Sequence, residues 1–232
     1  MSIFFLEYRA VLKLTGKDRH AFIQGLITQD IMLLDQQPFL YSLLLSPQGK
    51  FQYDMFLFQS DEALYIDTDR VDDLRTHLNR FKLRSDVQIE TTDLRVYASL
   101  AEIPHLGEDF IFKDPRHTDM GFRFYSYTAL DGLISLAEYD RHRISLTVPD
   151  GIRDMIVDKS IPLEWNMDKL NAISWDKGCY IGQELTSRTK HLGLIKKRVA
   201  TLPVNNIPQD SADKTVRHIQ TYGDQSLCFV RF

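Results

Sequence analysis

Cysteines are scarce in this sequence, and basic residues are not in excess. Two cysteines occur, Cys179 and Cys228, and they lie 49 positions apart. This number and spacing exclude a zinc-finger pair and a disulfide framework, and they predict free thiols in a reducing compartment. The chain carries 28 lysines and arginines against 32 aspartates and glutamates, a formal net charge of −4. We therefore expect no direct nucleic-acid partner, because no overall basic field would attract one.

Long apolar runs are also missing. No stretch approaches the roughly 20 apolar residues that a membrane-spanning helix needs, and no basic segment precedes an early apolar run as in a signal peptide. Hydrophobic residues make up 44% of the 232 residues and charged residues 26%, which is ordinary for a globular protein with a full core. These features predict a soluble cytoplasmic protein without a membrane partner, or a mitochondrial-matrix protein if the chain is eukaryotic.

Strand and helix patterns are interspersed along the chain. Residues 16–33 are predicted to form a helix, capped by Thr15 and with Asp18 in its first turn. An amphipathic helix is predicted from residue 71, because apolar residues recur there at helical spacing. The predicted strands are 39–45, 51–58, 63–66, 87–90, 94–100, 122–129 and 144–148, with further helices near 133–142 and 168–173 and a connecting excursion over 104–121. Because hairpins recur without strict βαβ alternation, we predict an α+β fold with mostly antiparallel sheets and packed helices.

The segment Lys177-Gly178-Cys179-Tyr180-Ile181-Gly182-Gln183-Glu184 has residue types that suit a reactive or ligating cysteine. The two glycines allow the backbone to bend sharply and to present the thiol on a turn. Lys177 precedes Cys179 directly, and a nearby cation favours thiolate over thiol. A second interpretation stays open, in which Cys179 is a small buried apolar residue, as most free cysteines are. Cys228 has apolar neighbours and is interpreted as structural.

A helix beginning near Gly182 would carry Gln183, Glu184 and Arg188, with Glu184 and Arg188 at the i,i+4 spacing of a helical ion pair. His191 follows twelve positions after Cys179 and could act as a base, but no third group completes a catalytic triad. The scattered histidines and acids show no ligand spacing for a metal site within one chain. Cys179 could still ligate a cluster that is shared with a partner protein.

The octapeptide at 177–184 resembles the signature of the YgfZ family, folate-binding proteins related to the T-protein (aminomethyltransferase) of the glycine cleavage system. Residues 15–30 resemble the family's N-terminal helix, and Leu45-Ser46-Pro47-Gln48-Gly49-Lys50 resembles its first hairpin turn. Residues 161–188 match as well. The resemblance thus covers about residues 10 to 198.

The resemblance implies a T-protein-like folate-binding region over 1–198 and a small, truncated C-terminal β unit over 199–232. It implies tetrahydrofolate or a derivative as cofactor, bound in a central cavity. It further implies a role in assembling or repairing iron–sulfur clusters of client enzymes, including radical enzymes that modify tRNA. The expected partners are folate and the iron–sulfur carrier and client proteins. Cys179 would then be a redox-sensitive thiol, or a ligand of a transient [2Fe–2S] cluster shared with a partner.

The same resemblance assigns the candidate site residues. Cys179 and Lys177 form the candidate catalytic pair, and Cys179 is also the candidate metal ligand. The cofactor-binding candidates are Asp54, Arg143, Gln183, Glu184 and Arg188. Asp54 matches the folate-side aspartate of the T-protein, and a carboxylate inside an apolar strand needs a partner if it is buried. The alternative places Asp54 on the solvent face of its strand.

One departure from the T-protein concerns the pattern Arg-Leu-Glu-Ala-Gly, whose glutamate contacts folate. This chain has Ser145 at that position, two residues after Arg143. The substitution weakens the expected recognition of the pterin. We therefore expect an accessory protein rather than an enzyme of glycine cleavage. An aminomethyltransferase and a non-catalytic scaffold with the same fold are the alternatives.

Overall fold

The computed structural model describes residues 2–102, 110–207 and 215–232. Twelve strands in these ranges form three sheets. The strands are β1 Ile3–Phe5, β2 Ala10–Thr15, β3 Leu40–Leu45, β4 Phe51–Ser60, β5 Ala63–Thr68, β6 Gln88–Thr91, β7 Arg95–Ser99, β8 Phe110–Lys113, β9 Phe122–Ser126, β10 Lys197–Pro203, β11 Val216–Tyr222 and β12 Gln225–Arg231. Their order is β3-β4-β5-β2-β6 in the first sheet, β1-β7-β9-β8 in the second and β10-β12-β11 in the third.

Helices connect and cover the sheets. The α-helices are α1 Arg19–Gln24, α2 Val71–Lys82, α3 Leu136–Ser145, α4 Gly151–Asp154 and α5 Gln183–His191. Short 3-10 helices are formed by Ile31–Asp35, Thr118–Met120, Pro162–Trp165 and Val204–Asn206. None of the described helices has the length and apolar character needed to cross a membrane.

Neighbouring strands pair antiparallel in each of the three sheets. This arrangement confirms the predicted α+β class with antiparallel sheets. The larger core cluster joins all three sheets, and Val199, Leu227 and Phe229 bring the C-terminal sheet into it. The predicted boundary at 198/199 falls inside β10, so the division into two domains stays a prediction.

The first hairpin and the amphipathic helix are confirmed. Strands β3 and β4 pair from Leu40 with Leu57 down to the turn at residues 46–50, and every residue of β3 is buried. Helix α2 buries Leu74 and Leu78, as their spacing predicts. Acidic residues occupy its first turn and basic residues its last turn, which complements the helix dipole.

The helix predicted over 16–33 is wrong in length. Helix α1 ends at Gln24, because Thr28 N–H donates to Leu43 O at 2.9 Å and thereby joins the chain to β3. Thr15 belongs to β2, so it does not cap the helix. Asp18 occupies the N-cap position, but its carboxylate accepts from Asp86 N–H at 2.8 Å instead of capping.

Two further elements also differ from the prediction. The strand predicted at 144–148 is wrong because α3 continues to Ser145 and Thr147 then turns at φ 56°. The helix predicted at 168–173 is wrong as well, since the chain there forms turns. Within the excursion predicted over 104–121, residues 104–109 lie outside the described residues. Strand β8 occupies part of the remainder.

Candidate functional site

The signature segment 177–184 is an irregular loop that runs into α5. Its cysteine, Cys179, is exposed, whereas Cys228 is buried in β12. The exposed position of Cys179 excludes its interpretation as a buried apolar residue. The loop therefore presents a thiol that a partner protein can reach.

Lys177 anchors this loop to the segment after α1. Its side chain is buried, and its ammonium group donates to three backbone oxygens, of Gln24 at 2.7 Å, Ile27 at 2.8 Å and Gln29 at 2.9 Å. Burial lowers the pKa of Lys177 to about 8, against an opposing effect of Asp30. The structure thus shows that Lys177 positions the loop. Its predicted effect on the Cys179 thiol stays a prediction.

Gly182 holds the other end of the loop against the β3–β4 turn. It adopts φ 82°, and a Cβ at this position would lie 2.6 Å from Ser46 O and 3.1 Å from Gly49 Cα. Only glycine tolerates both the backbone angle and this close approach. Gly178 differs, since a Cβ there would meet nothing within 4 Å. Of the two signature glycines, Gly182 is the one that the packing requires.

Helix α5 begins at Gln183, close to where the sequence predicts it. Its predicted ion pair between Glu184 and Arg188 is absent from the described residues, and both side chains are exposed. Gln183 and Glu184 instead line a groove of about 420 Å³ between the signature loop and α2, called the signature groove below. The other lining residues include Leu45, Pro47, His77, Phe81, Tyr180 and Ile181.

Tyr180 contributes an unusual polar group to the signature groove. Its side chain is buried, and its hydroxyl has no hydrogen-bond partner within the described part of the chain. Burial raises the pKa of Tyr180 to about 12. A buried hydroxyl without a hydrogen-bond partner is costly to stability.

Asp54 lies elsewhere, in a buried charge network centred on Arg9. Arg9 Nη1 lies 3.2 Å from Asp54 Oδ1 and 3.6 Å from Asp150 Oδ1, and Arg9 Nε lies 2.5 Å from Asp67 Oδ1. All four side chains are fully buried. The alternative that placed Asp54 on a solvent face is therefore wrong.

Burial is the main reason why the pKa of Asp54 rises from its ordinary value to about 7. The neighbouring carboxylates of Asp69 and Asp150 raise it further, while Arg9 and Arg116 oppose the shift. Asp150 behaves in the opposite way. Four arginines, led by Arg143 and Arg9, outweigh its burial and depress its pKa.

Most residues of this network are not among the site residues predicted from the sequence. Asp67 also binds Arg123 Nη1 at 2.7 Å and accepts from the Tyr125 hydroxyl at 2.9 Å, and the Arg123 guanidinium lies 3.7 Å from the Phe56 ring centroid. Asp67 and Arg123 each lie within an apolar strand, as Asp54 does. That signal could have identified them.

Arg143 joins the same network from α3. It is fully buried, and it binds Asp140 at 2.7 Å and Asp154 at 2.5 Å. It also donates to the Tyr222 hydroxyl at 3.0 Å, which links α3 to the C-terminal sheet. The five cofactor-binding candidates thus fall into separate places: Asp54 and Arg143 in the buried network, Gln183 and Glu184 in the signature groove, and Arg188 on the exposed part of α5.

The surroundings of Asp54 do not fit a folate as they are arranged. The Asp54 side chain has no exposed surface, and its carboxylate forms an ion pair with Arg9. The backbone of α4 also packs directly on it, since a Cβ at Gly151 would lie 2.9 Å from Asp54 Oδ1 and 1.9 Å from Asp69 Oδ2. A pterin ring could reach the carboxylate only after these groups moved apart.

Sequence comparisons show similarity to iron–sulfur cluster assembly factors. No family model matches the chain. The human "Iron-sulfur cluster assembly factor IBA57, mitochondrial" is 32% identical, over 84% of this chain and 64% of that protein. The IBA57 homologs of Phaeosphaeria nodorum and Mycosarcoma maydis are 34% and 31% identical, over 86% and 85% of this chain and 54% and 56% of those proteins. The chain therefore spans between about half and two thirds of the length of these relatives, whose names place them in mitochondria.

Comparison with solved structures shows a similar fold. The glycine cleavage system aminomethyltransferase T from Bartonella henselae matches with a TM-score of 0.76 at 13% sequence identity. The match covers 99% of this chain and 78% of that protein. Identity at this level shows the fold alone. The chain therefore has the fold of the glycine cleavage T-protein, as the sequence resemblance implies, and in sequence it is similar to the IBA57 assembly factors.

Proposed function

We propose that this chain is an accessory factor in iron–sulfur cluster assembly, with Cys179 as the thiol that contacts the cluster. The observation that carries the proposal is the exposed Cys179 on a loop that Lys177 and Gly182 hold in place. The similarity to IBA57 factors over most of the chain supports the same role. The cluster is cargo here, brought by one partner and passed to another.

The loop suits this task for a physical reason. A thiolate binds iron directly, and a loop that is already fixed loses little conformational entropy when a partner engages it. When Cys179 binds iron of a loaded cluster, its thiolate replaces one ligand of the carrier, the thiol proton passes to the displaced ligand, and the carrier keeps the other cluster ligands. The proposed clients are cluster enzymes such as radical enzymes that modify tRNA, in the mitochondrial matrix if the chain is eukaryotic.

Anaerobic mixing of the chain with a [2Fe–2S]-loaded A-type carrier protein tests this proposal. We expect the visible thiolate-to-iron absorbance of the carrier to change with the wild-type chain and to stay unchanged with Cys179→Ser. Cys228→Ala is the matched control and should behave like wild type, because Cys228 is buried. An identical spectral change with Cys179→Ser would refute a direct contact between this thiol and the cluster.

Folate binding is a separate part of the proposal. The shared fold with aminomethyltransferase T favours it, whereas the closed surroundings of Asp54 oppose it. Because Arg9 must leave Asp54 before a ligand can take its place, we expect calorimetric titration with tetrahydrofolate to give an affinity in the millimolar range. Micromolar binding that Asp54→Asn abolishes would show that the network opens readily.

Folate-dependent aminomethyl transfer is the second candidate function, and the T-protein fold is the observation that favours it. Ser145 stands where the T-protein has glutamate, and its hydroxyl donates to His142 O at 2.6 Å at the end of α3. An assay for ammonia release from an aminomethyl-lipoyl carrier separates the two candidates. We expect no release.

A further inference from the structure

The C-terminal end of α2 exposes two apolar side chains, and one of them lines the signature groove. Leu83, directly after the helix, is 89% exposed and has φ 44°, an uncommon backbone conformation for a residue with a branched side chain. Phe81 is 41% exposed and also lines the groove. An exposed leucine held in a strained backbone, such as Leu83, is more typical of a binding surface than of a solvated helix end.

Three cationic residues alternate with these apolar residues along the chain, and they have no ion-pair partners among the described residues. In the first turns of α2, Arg70 pairs with Asp73 and Arg75 with Asp72. At its end, no carboxylate among the described residues forms an ion pair with Arg80, Lys82 or Arg84. The segment Arg80–Arg84 thus presents three unpaired cations and two exposed apolar side chains, on a chain whose net charge is −4.

The groove connects this segment to the functional loop. His77 and Phe81 of α2 form one wall, and Tyr180 and Ile181, the two residues after Cys179, form part of the other. A molecule seated here would lie beside the signature loop.

We propose that the segment Arg80–Arg84 and the signature groove together dock an acidic partner protein, which inserts an apolar side chain into the groove. The inference rests on the proposed function, since the partner is the protein whose cluster meets Cys179. Charge complementarity identifies an acidic surface, because no carboxylate among the described residues forms an ion pair with these three cations. The groove of about 420 Å³ identifies a side chain of the partner as the group that enters.

Calorimetric titration with the A-type carrier protein tests the docking surface. The test variants are Leu83→Ser and the double variant Arg80→Glu/Arg84→Glu, and we expect each to weaken binding by about tenfold or more. The matched controls are Leu133→Ser and Lys169→Glu, which change an exposed leucine and an exposed lysine outside this surface. The controls should retain wild-type affinity. Circular dichroism melts establish that all variants fold.

Salt gives a second readout. Raising the salt concentration from about 0.05 to 0.5 M shortens the Debye length severalfold and should weaken wild-type binding. The same change should have a smaller effect on the double charge variant, which keeps only Lys82 of the three docking cations. Equal salt dependence of the two proteins would count against the assigned surface.

The outcomes for docking and for cluster contact are distinguishable. Carrier binding that is equal in wild type and both test variants, or that does not occur at all, overturns the docking proposal. Loss of binding in the test variants together with a spectral change that persists in Cys179→Ser overturns only the cluster role of the cysteine. If the test variants lose binding to vesicles containing phosphatidylserine but keep binding to the carrier, the surface recognises anionic lipid and the protein proposal is wrong. Self-association in sedimentation that both test variants abolish would assign the surface to a second copy of this chain, and would equally overturn the proposal.

Discussion

The buried charge network and the signature loop are both built from polar residues, but they use them in opposite ways. In the network, Arg9, Asp54, Asp67 and Asp150 have no exposed side-chain surface, and Arg9 forms an ion pair with each of the three carboxylates. In the loop, Cys179 is exposed and is positioned by backbone contacts of its neighbours. The network is therefore placed to hold the fold together, whereas the loop is available for chemistry.

Removal of the central arginine should have the largest effect on stability. Arg9→Ala leaves three buried carboxylates without their shared guanidinium. Breaking a buried ion pair on one side costs about 3–5 kcal/mol, which urea denaturation would measure. Arg75→Ala is the matched control, because Arg75 pairs with Asp72 on the exposed side of α2. The control should lose at most about 1 kcal/mol, and equal losses would refute the central role of the network.

The network should also make stability depend on pH through Asp54. Its pKa is raised in the folded protein to about 7 from the model-peptide value of 3.8. Between these values the folded state binds more protons than the unfolded state, so stability falls as pH rises from about 4 to about 7. The contribution is about 4 kcal/mol, since one pKa unit corresponds to about 1.4 kcal/mol.

Other carboxyl groups titrate in the same range, so the comparison must isolate Asp54. Urea denaturation of wild type and Asp54→Asn at several pH values does this, because only the wild type has the titrating carboxyl group of Asp54. We expect wild type to lose stability relative to Asp54→Asn as pH rises to about 7. A constant difference between the two proteins would show that Asp54 keeps an ordinary pKa.

A substitution in the loop should have a smaller effect on folding. Gly182→Ala forces a Cβ to within 2.6 Å of Ser46 O at φ 82°, which should cost about 1–2 kcal/mol. Gly178→Ala is the matched control, since its Cβ meets nothing within 4 Å. Thermal unfolding measures the stability of both variants, and we expect Gly182→Ala to melt at the lower temperature. If they melt together, the contact between the loop and the β3–β4 turn does not fix the loop.

Cys179→Ser should have the smallest effect on stability. Exposed substitutions away from caps and networks change stability by within about 0.5 kcal/mol, and Cys179 is exposed. The same variant should abolish the spectral change with the cluster carrier. A large loss of stability would assign Cys179 a structural role and would weaken the division between the network and the loop.

Local patterns predicted much of the fold. The β3–β4 hairpin and α2 were correct because turn residues and apolar spacing act over a few neighbouring residues. The long helix at 16–33 was wrong because the bond from Thr28 to β3 is a tertiary contact, which helical spacing does not reveal. The strand at 144–148 failed for a related reason, since α3 extends over its first residues.

The site was predictable only in part. The glycines and the cysteine indicated an exposed loop, and the apolar neighbours of Asp54 showed that it would need a partner if buried. That partner, Arg9, lies 45 positions away in the chain. Lys177 was expected to act on the adjacent thiol, yet its ammonium reaches backbone oxygens about 150 positions earlier. Pairings over such distances in sequence depend on the folded arrangement of sheets.

The hydrogen bonds that Lys177 makes depend on its protonation state. A protonated lysine carries three N–H groups, and here it meets three backbone oxygens, those of Gln24, Ile27 and Gln29. The neutral amine has two N–H groups, so loss of one proton leaves one buried oxygen without a donor. With a pKa of about 8 for Lys177, mildly alkaline solution is enough to remove that proton. The number of hydrogen bonds by which Lys177 holds the cysteine loop therefore depends on pH.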